Sequence, residues 1–300
     1  MNEIFDRLLI RIILVLVVCG VLFLYKYAHM LFYPTMKQQV TKRFYPAQNP
    51  TDTLHLFSRL IGFAIILSSL GFDETHGFFL AVFHFLVWGT LTSMLYLVSL
   101  FIIESVVLYN FEYKDEILKR QNLSYALICF AHALSVAYVT RSVVNQSENS
   151  LVILFVLWLL SMVFLGFGSR YYGIVSKLNF DRLVGQQSVS VALSYTGFTL
   201  GLGWLIGESF RQEHYDITMF CVQVLLKMLL GLIVYPLFKI GLEYIFKTRS
   251  YAAGPDQPQL EVGLQNWGYG FYEAALFLAA AILTSMIVNQ IQFGTIYPFF

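Results

Sequence analysis

Charge is scarce in this chain. Of 300 residues, 12% are Asp, Glu, Lys or Arg and 58% are hydrophobic, whereas about a quarter of a soluble domain is charged. Too few polar side chains remain to cover a water-facing surface. That excludes a soluble globular protein and leaves lipid as the solvent of the apolar excess. A net charge of +1 excludes the basic footprint of a nucleic-acid binder, and no block of like charges is long enough for a solvated tail. Cysteine is scarce too. Cys19, Cys129 and Cys221 all fall inside apolar runs, where single cysteines serve as small packing residues. No two of the six histidines stand at i, i+3 or i, i+4, and the HExxH, GxSxG and GxxxxGK(S/T) motifs are missing. These gaps predict no enzyme, no cofactor and no resident metal.

What the chain does have is long apolar runs. Eight can span a bilayer, at roughly 8–32, 53–72, 77–110, 121–141, 150–176, 187–207, 217–246 and 267–289, each about 20 residues or longer. The expected fold is therefore an all-α integral membrane protein of about eight transmembrane helices. The first run follows Arg7 and Arg11 but ends in no small-residue cleavage site, so it reads as a retained helix. The third and seventh are long enough to tilt, and Pro236 is placed to kink the seventh. Thirteen Lys and Arg residues cluster in or near the connections after the odd-numbered runs, against four on the other side. The positive-inside rule makes the richer side cytoplasmic and puts both termini outside.

The run 187–207 carries Ser190, Ser194, Gly197 and Gly201, then Gly203 and Gly207, as two series of small residues. In lipid such faces let backbones approach closely and gain packing contacts, so this helix is expected at the centre of the bundle. It has relatives within the chain. At an offset of 66, Gln121, Asn122, Ser124, Ala126 and Leu127 fall on Gln187, Ser188, Ser190, Ala192 and Leu193, and Gln265-Asn266 starts a further copy. Asp52 to Leu70, with Ser58, Gly62, Ser68 and Ser69, reads as a first copy that lacks the Gln-Asn start. The resulting organisation is an N-terminal helix and basic loop (1–50), a first repeat (51–112), a second (113–180), a third (181–250) and a last half repeat (251–300). Successive copies share one orientation.

The stretches Gln121-Asn122-Leu123-Ser124-Tyr125-Ala126, Gln187-Ser188-Val189-Ser190-Val191-Ala192 and Gln265-Asn266-Trp267-Gly268-Tyr269-Gly270 resemble the YjfL-like family of bacterial inner-membrane proteins, domain of unknown function 350. The resemblance implies tandem two-helix repeats and a bacterial inner membrane. It implies no particular chemistry.

Ionisable residues inside spans are functional candidates by default. Glu104 and Arg170 stand one repeat offset apart with opposite charge, and are expected either to pair structurally or to form a gate. Lys227 and Glu273 lie too deep for easy snorkelling, and are expected to pair or to face a water-filled pathway. Arg59, His84 and His132 complete the intramembrane set, while Lys239 and Glu243 suit a local i, i+4 pair. Asp73, Glu74 and His76 in one outer loop, and Glu208, Glu213, His214 and Asp216 in another, are either solvated loops or an acidic mouth that concentrates cations. The favoured function is a channel or transporter for an ion or small cationic solute. The alternative is a structural subunit that forms a homo-oligomer, or joins a membrane complex, and recruits a cytosolic protein through its basic loops.

Overall fold

The computed structural model describes residues 2–34, 48–72, 75, 77–147, 150–176, 178–211, 217–246 and 266–291. Among them the helices are α1 (Asn2–Phe32), α2 (Pro50–Leu67), α3 (Phe78–Val107), α4 (Leu123–Gln146), α5 (Leu151–Ser176), the short α6 (Phe180–Gly185), α7 (Val189–Ser209), α8 (Ile217–Ile245) and α9 (Trp267–Gln290). A π-helical turn, Lys114–Lys119, precedes α4. Seven of these are long and apolar enough to cross a membrane. The eighth expected span, α2, has 18 residues and buries Asp52, His55, Ser58 and Arg59 along one side.

The helices form two rows. The small-residue helices α2, α4, α7 and α9 make an inner row in which each packs chiefly on the next, and the bulkier α1, α3, α5 and α8 make an outer row in the same order. The two small-residue series of α7 serve different neighbours. A Cβ on Gly197 would lie 2.3 Å from the Ala274 Cα, and one on Gly201 would lie 2.9 Å from the Ala281 Cβ, both on α9. One on Gly203 would meet Ser135, and one on Gly207 would meet Tyr138, both on α4. Ser190 and Ser194 are buried on the α9 side, where the Ser190 carbonyl abuts Gly270. Close backbone approach on two faces is what lets α7 sit between two inner neighbours.

Each inner helix begins on a cap that fixes where the chain turns into the bundle. Asn122 is fully buried. Its Oδ1 accepts from the Ser124 and Tyr125 amides, and its Nδ2 donates to Glu116 Oε2 at 2.6 Å and to the Val184 carbonyl at 3.1 Å. Asn266 caps α9 through the Tyr269 amide, and Ser188 occupies the same position on α7, where its side chain makes no capping bond to the helix amides. Gln121 and Gln187, just before two of these caps, share left-handed φ values of 48° and 60°. The first copy does have this start, which corrects the reading from Asp52. Asn49 caps α2 by accepting from the Asp52 amide at 3.0 Å, with Pro50 in the first helical turn, a favoured place for proline. Because Asn122 also neutralises two buried acceptors, Asn122→Ala should cost about 0.5–2 kcal/mol for the cap and about 1–3 kcal/mol for the groups left unpaired. Asn266→Ala should cost only about the cap term. Thermal unfolding in mild detergent measures the difference.

Candidate functional site

The first polar centre is assembled by three helices around Arg59. This side chain is 1% exposed, so its charge needs a complete set of partners. Its Nη2 donates to Glu104 Oε1 and Oε2 at 2.7 and 2.8 Å and lies 3.0 Å from His55 Nε2. Its Nη1 lies 2.9 Å from His29 Nε2. The guanidinium also stacks 4.2 Å from the Tyr33 ring, and Tyr33 donates to Glu104 Oε2 at 3.3 Å. Thus α1 supplies His29, α2 supplies His55 and Arg59, and α3 supplies Glu104, with Tyr33 just beyond α1. From α4, the Cys129 thiol lies within 4.8 Å of ligand atoms of both His55 and Glu104.

A cavity of about 350 Å³ adjoins this cluster. It is lined by His55, Arg59, Glu104, Tyr33, Tyr113 and Tyr125, among others. Tyr113, beyond the end of α3, donates to Asp52 Oδ1 at 2.6 Å. Burial, followed by this bond to the carboxylate, pushes the Tyr113 hydroxyl up in pKa, so it stays protonated as a donor. The cavity is therefore lined by polar side chains and the Arg59–Glu104 ion pair, together with Phe101, Leu108 and Phe111.

A second centre lies in the other half of the chain. Glu273 on α9 accepts from Ser194 at 2.7 Å and from Lys239 at 3.3 Å. Tyr172 donates to Ser194 at 2.9 Å, and Lys239 also pairs with Glu243 at 3.2 Å. The two centres are copies of one plan. With Asn49 placed on Ser188, a single constant offset carries Tyr33 to Tyr172, Gly62 to Gly201, Tyr96 to Tyr235 and Glu104 to Glu243. The contacts repeat as well. Tyr96 bonds the Arg59 carbonyl at 3.3 Å and lies against Gly62, while Tyr235 bonds the Phe198 carbonyl at 3.4 Å and lies against Gly201. The chemistry does not repeat. On the same offset His29 becomes Gly168, His55 becomes Ser194 and Arg59 becomes Phe198, while Cys129 answers to Glu273 when Asn122 is placed on Asn266. Phe198 packs in an aromatic cluster with Tyr172, Tyr235 and Phe277.

Two expected pairings are corrected. Glu104 pairs with Arg59, not Arg170. Arg170 instead donates to the Val106 carbonyl at 2.7 Å and lies 5.0 Å from the Tyr109 ring. Glu273 pairs with Lys239, not Lys227. Lys227 is buried on α8 and has no hydrogen bond or ion pair among the described residues. The reason is distance along the helix, since twelve residues separate the two lysines and span about 18 Å. His132 is buried and 2.8 Å from the Tyr195 hydroxyl, well inside the bundle. His84 is exposed on α3, 6.0 Å from the Trp88 ring, beside a smaller cavity of about 200 Å³ near Ser69 and Asn145. Glu208 is not a free acid of an outer mouth. It is buried, accepts from Tyr138 at 2.7 Å and pairs with Arg211 at 3.1 Å. Asp73, Glu74, His76, Glu213, His214 and Asp216 lie outside the described residues. Sequence reasoning passed over His29, His55, Tyr33 and Cys129 as members of one site. The available signal was His55 one helical turn before Arg59 on α2.

Apolar helices in tandem pairs, with ion pairs sealed between them, define an all-α integral membrane protein built from repeats. The family model described as Domain of Unknown Function (DUF350) matches residues 4–144 and again 146–288, and the chain belongs to that family. Each match takes in four long helices, α1 to α4 and then α5 to α9 without the short α6, so each contains one of the two polar centres. Searches of curated proteins and of solved structures give no match.

Proposed function

We infer that this is a membrane transport protein for a small cation, with the Arg59 centre and its cavity as the binding site. The observation that carries this is the contrast between the two copies. The second copy keeps the same helices, the same tyrosine-on-glycine contacts and the same fold with Phe198 where the first has Arg59. An arginine and two histidines are therefore not what the fold needs at that position. Their burial beside a cavity, at a cost that packing would not impose, is explained by a solute that uses them. The cavity is lined by Tyr109, Phe111 and Tyr113 from the connection that also carries Lys114, Lys119 and Arg120, which by the positive-inside rule is the cytoplasmic end. This reading places the protein in a bacterial inner membrane with both termini outside.

The test is flux through liposomes containing the purified protein, across a panel of monovalent and divalent cations. Wild type is expected to move at least one cation. Glu104→Gln should lower that flux at least tenfold, while Glu243→Gln, at the matching position of the second copy, should leave it within about a factor of two. Flux no higher than in empty liposomes removes the transport reading. Equal loss in both variants removes the assignment to the first centre. One observation favours the structural alternative: Glu104, Glu208 and Glu273 are all already paired, as in a scaffold. That alternative predicts no flux, together with a stoichiometric partner or self-assembly in mild detergent.

A further inference from the structure

We propose that the first centre takes a borderline transition-metal dication of the zinc(II) type through His55, Glu104 and Cys129, and that Arg59 holds the site in its absence. The proposal names the cation class of the transport reading above and rests on that reading for the cation's passage, though not for its binding.

The donor set comes first. An imidazole nitrogen, a carboxylate oxygen and a thiol sulfur, from three different helices, lie within 4.8 Å of one another. In a tetrahedral zinc site with bonds of about 2.0–2.3 Å, neighbouring donors stand about 3.3–3.8 Å apart. The gap of about 1 Å is within reach of side-chain rotation. Sulfur and imidazole together select zinc-like ions over magnesium and calcium, which take oxygen ligands. Three protein ligands with one open position describe a site that exchanges its ion or a bound water, whereas closed structural sites use four. The adjoining cavity, lined by His55 and Glu104, provides the fourth position and a route to it.

Two further observations point to a ligand. Arginine only donates, so the His55 Nε2 that faces Arg59 carries the lone pair, in a side chain 1% exposed. That lone pair is the one a metal ion would take once Arg59 moves away. Moreover, the donors already surround a cation. Arg59 Nη2 sits between His55 Nε2 and both oxygens of Glu104, so these groups are arranged for positive charge. If Arg59 withdraws toward the cavity, a dication enters and Cys129 releases its proton to water through the cavity, the summed charge of donors and bound cation stays at zero: Arg59 and Glu104 before, the dication with Glu104 and the Cys129 thiolate after. The second copy has Ser194 and Glu273 in place of His55 and Cys129 and lacks this donor set, so one ion is expected per chain.

Cobalt(II) tests this as a spectroscopic stand-in for zinc. Full-length protein, purified in detergent and stripped with a chelator, should bind one Co²⁺ per chain. Binding should produce thiolate-to-cobalt absorption in the near ultraviolet and visible bands of tetrahedral intensity. Zn²⁺ should bleach both, and Mg²⁺ in large excess should not. Cys129→Ser should abolish the thiolate band, and His55→Asn should weaken binding at least tenfold. Cys19→Ser and Cys221→Ser should leave the band in place. Folded wild type that gives no cobalt band overturns the proposal, as does a band that survives Cys129→Ser. Cobalt binding without flux of any cation in the panel would retire the transport reading and leave the site standing. Flux of another cation without cobalt binding would do the reverse.

Discussion

Gly197→Val should leave little folded protein. A Cβ at this position would fall 2.3 Å from the Ala274 Cα and 2.4 Å from its carbonyl oxygen, and backbone atoms cannot rotate aside. Overpacking typically costs about 1–3 kcal/mol where side chains can adjust. Here α9 must move as a body away from α7, so the cost should lie at or above the top of that range, against a total stability of about 5–15 kcal/mol. Separation of α9 from α7 would also pull Glu273 off Ser194. The comparison is Gly241→Ala on α8, where an added Cβ meets nothing within 4 Å. Alanine there should stabilise the helix by about 0.5–1 kcal/mol. Thermal unfolding of the two variants in one detergent should move in opposite directions. A Gly197→Val protein as stable as wild type would mean that α7 and α9 are not in contact.

Arg59→Met should cost about 3–5 kcal/mol, the usual penalty for removing one partner of a buried ion pair. Glu104 would lose both of its bonds from Arg59 and keep the longer one from Tyr33. The informative measurement is the double variant. Arg59→Met combined with Glu104→Leu should recover most of the loss, because an apolar replacement of the whole pair is often neutral or better. The second copy, with Phe198 at the place of Arg59, shows that an apolar group can occupy that position of the plan. If the double variant is as unstable as the single one, the centre is structural and its histidines are packing residues.

These two outcomes bear on what the sequence could reveal. The central position of α7 was legible because glycine and serine at helical spacing have few other uses inside a membrane. The structure adds that the two series face different neighbours. The repeat was legible through its caps, since Asn122 and Asn266 accept helix amides at equivalent points. Asn49 was passed over because Pro50 makes the start of α2 read as a loop. The Lys239–Glu243 pair within α8 was legible from its i, i+4 spacing, but the charge pairs between helices were not. Equal spacing between Glu104 and Arg170 suggested that equivalent positions face each other. Tandem copies of one orientation instead set equivalent residues side by side, so Glu104 meets Arg59 of its own unit while Arg170 caps the Val106 carbonyl of the preceding one. Which lysine of α8 reaches Glu273 depends on how far along α9 each turn falls, and no single-helix pattern carries that. The His55, Glu104 and Cys129 cluster was invisible for the same reason, because each residue arrives on a different helix.

The two-row arrangement also bears on how the chain is made. Each inner helix after the first packs on the inner helix of the unit synthesised immediately before it, so it meets a docking partner already in the membrane. Insertion can then proceed vectorially from the ribosome, with the Arg59 pocket sealed by α4 before α5 has left the exit tunnel. A nascent chain stalled once α4 has entered the bilayer should already protect Cys129 from a thiol reagent.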